Sequence, residues 1–280
     1  MRRLLLLVFL SPLFMAGPVA AEGFFLEPPR IGTGGVTQLH WVGETPFMAL
    51  VRYRDTVLRF WPDAHGASLL LGADLEQEEG IYPLLLVAVD RLGKASFSRL
   101  ELTVEQVERP QEALILPKSM VHPDAAARKR IAQERTQLKE LYARSLRPPQ
   151  ATSLQLPLQA EVSSPFGLGR ILNGVQRSPH AGIDFRAASG TLIKAAAAGD
   201  VLLVDDLYYT GRTILLDHGQ GLLTLYAHLS SSRVTEGETV KIGAPIGRVG
   251  NSGRSTGAHL HWGVRLRGDR IDPLGLTAPK

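Results

Sequence analysis

The chain has 280 residues, 44% of them hydrophobic and 21% charged, with a formal net charge of +4. That length favours two domains, the apolar content excludes wholesale disorder, and the small charge excludes the cationic excess of a nucleic-acid-binding protein. Cysteine is absent, which removes disulfides, thiol nucleophiles, cysteine-ligated metal and a lipid-anchored cysteine from consideration.

The N-terminus reads Met1-Arg2-Arg3, an apolar run from Leu4 to Ala16, and small residues ending Val19-Ala20-Ala21 before Glu22. This is the layout of a signal peptide over residues 1–21, and its apolar run is shorter than the roughly 20 residues that span a bilayer. The expectation is an exported protein, with the periplasm as its compartment and no integral membrane segment after cleavage. Loss of Arg2 and Arg3 takes the formal charge from +4 to +2.

Over 22–107, short apolar runs at 36–41, 47–53, 57–61, 68–71, 81–89 and 96–104 alternate with turn residues such as Gly34-Gly35 and Pro62-Asp63. Six short strands predict a small β-sandwich. His40 and His65 stand alone there, and no catalytic cluster is visible. A linker is expected over 108–156. Within it Pro123-Asp124 opens a helix predicted for 125–146, a stretch without Gly or Pro. Ile131, Leu138, Leu141 and Tyr142 recur at helical spacing as one narrow apolar stripe, and the charged remainder reads as a solvated face with ion pairs such as Glu140 to Arg144.

After Pro148-Pro149 the composition turns Gly-rich and β-branched, which predicts an antiparallel β domain over 157–280 and a mainly β protein overall. Strands are expected at 160–163, 182–185, 192–196, 200–207, 213–217, 222–228, 239–242, 245–249 and 259–267.

Of eight histidines, five lie in this last part. His180 and Asp184 are four residues apart, and His259 and His261 are two apart. Side chains alternate along a strand, so the last two share a face with Cβ atoms about 7 Å apart. They can share a metal, or one can bind while the other addresses a substrate. With His180 and Asp184 they offer the nitrogen and oxygen donors of an open zinc site, whose fourth position is left for water. A turn at Gly219-Gln220-Gly221 places His218 and His228 at opposite ends of one strand, roughly 20 Å apart, so only one can reach such a site. His218 is explained by the turn, and His228 is favoured.

Other chemistries fit less well. Gly253-Arg254-Ser255-Thr256-Gly257 matches G-x-S-x-G but leads into a strand, whereas a nucleophile elbow leads into a helix. The strand-and-turn rhythm from Ala198 to Gly250 is also that of biotinyl and lipoyl carrier domains, but Lys241 is expected inside a strand and not at a hairpin tip.

Three pieces, His180-x-x-x-Asp184, Tyr226-Ala227-His228-Leu229 and His259-Leu260-His261, occur in this order with Gly-rich spacers. Together with Ser163-Ser164-Pro165-Phe166-Gly167, Val240-Lys241-Ile242-Gly243 and Gly247-Arg248-Val249-Gly250, they resemble the lysostaphin and LytM type of zinc metallopeptidase over about residues 165–276. The front β domain and Met120-Val121-His122-Pro123-Asp124 also resemble the front half of Gram-negative members. The resemblance implies one Zn2+ per chain held by His180, Asp184 and His261, with His228 and His259 catalytic. It further implies a groove that takes a peptidoglycan peptide for hydrolysis in cell-wall remodelling. Gly169 stands where an Arg is common and Ala258 where many members have Pro, which leaves the groove's entrance in question. A relative that only activates another hydrolase typically lacks metal residues, and all five positions are present here. No H-E-x-x-H occurs, so a second imidazole with a pKa near 6.5 takes the place of the usual glutamate base.

Overall fold

A computed structural model describes residues 23–115, 123–144 and 147–277. The expected signal peptide, Met120 to His122 and the end of the predicted helix at 145–146 lie outside the described residues.

The front of the chain forms β1 (Gly23–Glu27), β2 (Arg30–Gly32), β3 (Val36–Val42), β4 (Met48–Tyr53), β5 (Thr56–Arg59), β6 (Trp61–Asp63), β7 (Gly66–Gly72), β8 (Gly80–Val89) and β9 (Ala95–Glu105). They make a four-stranded sheet ordered β1-β3-β7-β6 and a five-stranded sheet ordered β2-β9-β8-β4-β5. Strict alternation along β3 buries Thr37, Leu39 and Trp41, and Leu39 and Trp41 pack with Val51, Tyr53, Leu84, Leu86 and Leu102 of the other sheet in one shared core. The six expected strands are all present, and the additional β1, β2 and β6 are too short or too polar to carry a periodic signal.

β7 explains why its seven residues, Gly-Ala-Ser-Leu-Leu-Leu-Gly, carry no alternation: every one is buried. Leu69 and Leu71 enter the front core, while Leu70 faces the other way into the core of the C-terminal half. A strand covered on both faces reads as a continuous apolar run.

The expected linker contributes a strand of its own, β10 (Gln111–Leu114), which pairs in parallel with a strand of the following domain. The helix α1 (Ala125–Arg144) begins where predicted, capped by the Asp124 carboxylate, which accepts from the Ala127 N–H at 2.8 Å. Arg130 pairs with Glu134 at 2.6 Å, and the expected pair of Glu140 with Arg144 rests on a side chain outside the described residues.

The remainder forms β11 (Val162–Ser164), β12 (Gly169–Leu172), β13 (Val175–Arg177), β14 (Ile183–Arg186), β15 (Leu192–Lys194), β16 (Gly199–Leu207), β17 (Gly211–Asp217), β18 (Leu222–Ala227), β19 (Leu229–Ser232), β20 (Thr239–Val240), β21 (Pro245–Val249), β22 (His259–Leu266) and β23 (Asp269–Ile271). The main sheet runs β11-β14-β22-β18-β17-β16-β20, with β23 also on β22, and β15-β21-β19 form a smaller sheet. β12, β13, β19 and β23 lie outside the predicted strands. The strand expected at 239–242 stops at Val240, and Lys241 opens a turn closed by the Ala244 N–H to its carbonyl at 3.1 Å. Its position within a strand is therefore not the ground for setting the carrier reading aside; the five-residue site is.

The main sheet has two different faces. Phe185, Tyr226, Leu260, Trp262 and Val264 point into the principal core. On the opposite face Leu203, Leu215, Leu223, Leu225 and Ala227 pack against Leu141 of α1, with Leu138 and Tyr142 beside it. The helical stripe read from sequence thus covers the same sheet face that carries the site. Among the described residues no helix is long and apolar enough to cross a membrane.

Candidate metal centre

β14 and β22 pair antiparallel with Asp184 opposite His261, and β22 pairs with β18 so that His261 is also opposite Ala227. Residues opposite each other share a face. Asp184, His261 and His259 are therefore presented together, and His228 follows directly after β18. Leu260 and Trp262 between the histidines turn into the core, as strand alternation requires.

The approach of β14 to β22 needs Gly182. A Cβ there would stand 2.5 Å from the Trp262 carbonyl oxygen and 2.8 Å from Cε1 of the His261 ring. His180, just before, is 5% exposed, and its Nδ1 lies 2.9 Å from the Pro165 carbonyl. A carbonyl only accepts, so Nδ1 holds the proton and the lone pair is on Nε2. That Nε2 is 2.9 Å from His261 Nδ1 and 3.0 Å from Asp184 Oδ1, and His261 Nδ1 is 2.8 Å from the same Oδ1. One proton on His261 can satisfy only one of these three contacts, whereas a cation among the three atoms satisfies them all. Two imidazole nitrogens and a carboxylate oxygen are the donor set of a divalent metal with an open position, so the residues fit a metal.

Burial alone would raise the Asp184 pKa, but the His180 and His261 imidazoles outweigh it and hold the carboxyl well below the usual carboxylate range. Burial lowers the pKa of His261 and, against a hydrogen bond to the Ser252 carbonyl, that of His228 to about 4. Both rings are thereby kept neutral, the form in which imidazole offers a lone pair.

His228 and His259 stand beside this cluster with ring centroids 4.7 Å apart, and the His228 ring is 6.1 Å from that of His261. His259 Nε2 is 3.8 Å from Asp184 Oδ1. Each is oriented as His180 is: His228 Nδ1 donates to the Ser252 carbonyl at 2.8 Å, and His259 Nδ1 to that of Gly257 at 2.9 Å. Both Nε2 lone pairs are left for other partners. The predicted strand 222–228 ends one residue early, because His228 takes a left-handed backbone, φ 62°, and turns the chain from β18 into β19 of the smaller sheet. Its N–H donates to the Thr210 carbonyl at 2.8 Å. Such a conformation costs about 1–3 kcal/mol in a non-glycine residue and persists only where the surroundings enforce it.

All five residues singled out from the sequence are brought together. His218 is not among them: it lies at the turn, as expected, but fully buried, with Nδ1 2.7 Å from the Ala198 carbonyl and Nε2 2.7 Å from Thr224 Oγ1. Sequence reasoning missed the carbonyls of Pro165, Ser252 and Gly257 that set the three imidazoles. A main-chain oxygen carries no residue identity, so no signal could have found them.

The profile of Peptidase family M23 matches residues 178–273. Among curated relatives, the DD-carboxypeptidase/endopeptidase Mpg of Neisseria meningitidis serogroup B (strain MC58) is 39% identical over 120 residues, 42% of this chain and 27% of that protein. The peptidoglycan DD-endopeptidase ShyA of Vibrio cholerae serotype O1 is 34% identical over 119 residues, 42% of this chain and 28% of that protein. The chain thus matches little more than a quarter of the length of these curated relatives. The crystal structure of a Pseudomonas aeruginosa protein assigned to peptidase M23 is 30% identical, with a TM-score of 0.66, and the match covers 87% of this chain and 93% of that one. That likeness includes the front sheets as well as the half that holds the histidine cluster, and the chain belongs to peptidase family M23.

Proposed function

We propose that this protein is an exported zinc-dependent endopeptidase that hydrolyses peptide bonds of bacterial peptidoglycan, in stem peptides or cross-links, during cell-wall remodelling in the periplasm. The observation that carries the reading is the convergence of His180 Nε2, Asp184 Oδ1 and His261 Nδ1 to within 3.0 Å of one another, with two further oriented imidazoles alongside. We assign the three as ligands of one Zn2+ and His228 and His259 as catalytic residues. The names of the Neisseria and Vibrio relatives support the substrate class.

A zinc ion bound there supplies Lewis acidity and water acidified toward neutrality. The chain's own residues do the rest. Nε2 of His228 and of His259 is unprotonated while Nδ1 donates to a carbonyl, so either ring can accept the proton of the attacking water. Once protonated, the same Nε2 becomes a donor to a developing oxyanion or to the departing amine. The carbonyl contacts keep each ring from rotating away.

The front sheets read as a β-sandwich, residues 108–156 as a linker with one helix, and residues 157–280 as the peptidase domain. The separate front core supports this division. Purified full-length protein incubated with purified peptidoglycan is expected to release soluble peptides. A chelator should stop the release and added zinc restore it. Persistent hydrolysis after the metal is stripped would remove zinc from the mechanism, and no release from any peptidoglycan would remove the substrate.

A further inference from the structure

A cavity of about 620 Å³ lies between α1 and the main sheet, bounded by Leu138 and Tyr142 of the helix and by Leu207, Tyr209 and Thr210. It opens on the sheet face that presents Asp184, His259 and His261. Two connections tie it to the metal centre. Thr210 lines the cavity, and its carbonyl accepts the His228 N–H. Arg265, also lining it, follows His261 by four residues on the same face of β22, about 13 Å along the strand. Between them Gly263 is buried, with the Ala181 carbonyl 3.4 Å from where its Cβ would stand, and the Arg265 guanidinium reaches that same carbonyl at 3.2 Å.

The charge of the cavity is one-sided. Arg135, Lys139, Arg265 and Arg267 line it against a single acid, Glu134, whose oxygens are taken by Arg130 at 2.6 Å and by the Tyr208 N–H at 2.9 Å. Arg267 is committed to the carbonyls of Gln220 and Leu70. Arg265 contacts the carbonyls of Ala181 and Val264 at 3.2 and 3.1 Å and lies 5.5 Å from the centre of the Tyr142 ring. None of these carries a negative charge.

We propose that this cavity is a substrate subsite for a carboxylate of the peptide being cut, with Arg265 as the residue that selects it. The subsite rests on the reading of the protein as a peptidoglycan peptidase. A guanidinium keeps its charge when half-buried and presents paired donors that match a carboxylate, and the apolar walls exclude competing water. Burial lowers the Arg265 pKa, a desolvation cost that an arriving anion offsets. Tyr142 and Leu138 make α1 one wall of the subsite, so the helix takes part in recognition.

The test uses two cross-linked stem peptides that differ only in whether their terminal carboxyl groups are free or converted to carboxamides. Cleavage rates and calorimetric binding of the corresponding product peptides are measured on the zinc-loaded full chain. The wild type is expected to favour the free carboxylate at least tenfold in kcat/KM, mainly through KM. Arg265→Gln should abolish that preference by lowering kcat/KM on the free-carboxylate peptide at least tenfold while keeping its zinc content, and Arg265→Lys should keep part of it. If Arg265→Gln does not fold, Arg135→Gln with Lys139→Gln, both exposed on α1, should reduce the preference severalfold. Equal cleavage and binding of the two peptides by the wild type would overturn the subsite alone, as would a preference that survives in a folded Arg265→Gln. Cleavage of neither peptide would instead strike the peptidase reading on which the subsite rests.

Discussion

Three imidazoles of this cluster are oriented by main-chain carbonyls, each with Nδ1 donating and Nε2 turned to other partners. On the proposed assignment, His180→Ala, Asp184→Ala or His261→Ala each removes one of three ligands, so zinc content measured by atomic absorption should fall in all three. His228→Ala and His259→Ala should stay zinc-replete while peptide release drops on the order of 10²- to 10⁴-fold. Full zinc occupancy in an Asp184 variant would strike that residue from the ligands. His218 serves as the internal control, because its two nitrogens join the Ala198 carbonyl, just before β16, to Thr224 of β18. His218→Ala leaves buried polar groups without partners, at about 1–3 kcal/mol, while activity per folded molecule is retained. Burial lowers the His218 pKa below 6.5, so its contribution to stability is fully present above about pH 6.5 and is lost as the pH falls. Urea midpoints between pH 7 and 5 should therefore fall less steeply in the variant than in the wild type.

At the scale of elements, the site depends on how closely β14 can approach β22. Gly182→Ala would push a methyl group against the Trp262 carbonyl and the His261 ring, shifting one strand against the other at the point where Asp184 meets His261. Zinc affinity is expected to fall at least tenfold, with a smaller loss of overall stability, as read by competition with a chromogenic chelator and by thermal melting. An unchanged affinity would show that the two strands have slack. The donor set was legible in part, since the period-two spacing of His259 and His261 puts them on one face and His180 and Asp184 supply the further nitrogen and oxygen, but the pairing of β14 with β22 that joins them was not. The turn of the chain at His228 was not, because the apolar run through Leu229 conceals a left-handed residue whose conformation is enforced by Thr210 and Ser252, both distant in sequence.

Across the whole molecule the two halves are joined more firmly than a linker implies. Leu70 and Leu75 from the front sit in the principal core, Arg54 pairs with Asp269, and Arg270 pairs with Asp74 and Glu76. Residues 157–280 expressed alone should bind zinc but melt below the full chain, since the places of Leu70 and Leu75 are then open to water. Asp74 supplies a pH signature of the junction. Burial opposes its ionisation, but hydrogen bonds from the Arg270 side chain and N–H prevail and lower its pKa to about 2. Its contribution is complete above the ordinary value of 3.8 and is lost as the pH falls toward 2. Asp74→Asn should lower the melting temperature at pH 7 and shrink that difference in acid, and an equal offset at pH 7 and pH 3 would deny the carboxylate this role.

The amino-acid sequence by itself determined the chemistry: which imidazoles and which carboxylate are available, the face they share on a strand, and the β class that presents them. Those properties follow from side-chain identity and from the two-residue period, both of which are local. Only the tertiary structure decided that α1 lies along the sheet face that carries the histidine cluster, that β7 belongs to two cores, and that Arg265 lines a cavity on that same face. Each of these depends on which buried surfaces meet, and apolar burial is non-directional: a Leu such as Leu70 can be covered by any neighbour. Its actual partner is set by the packing of the whole chain.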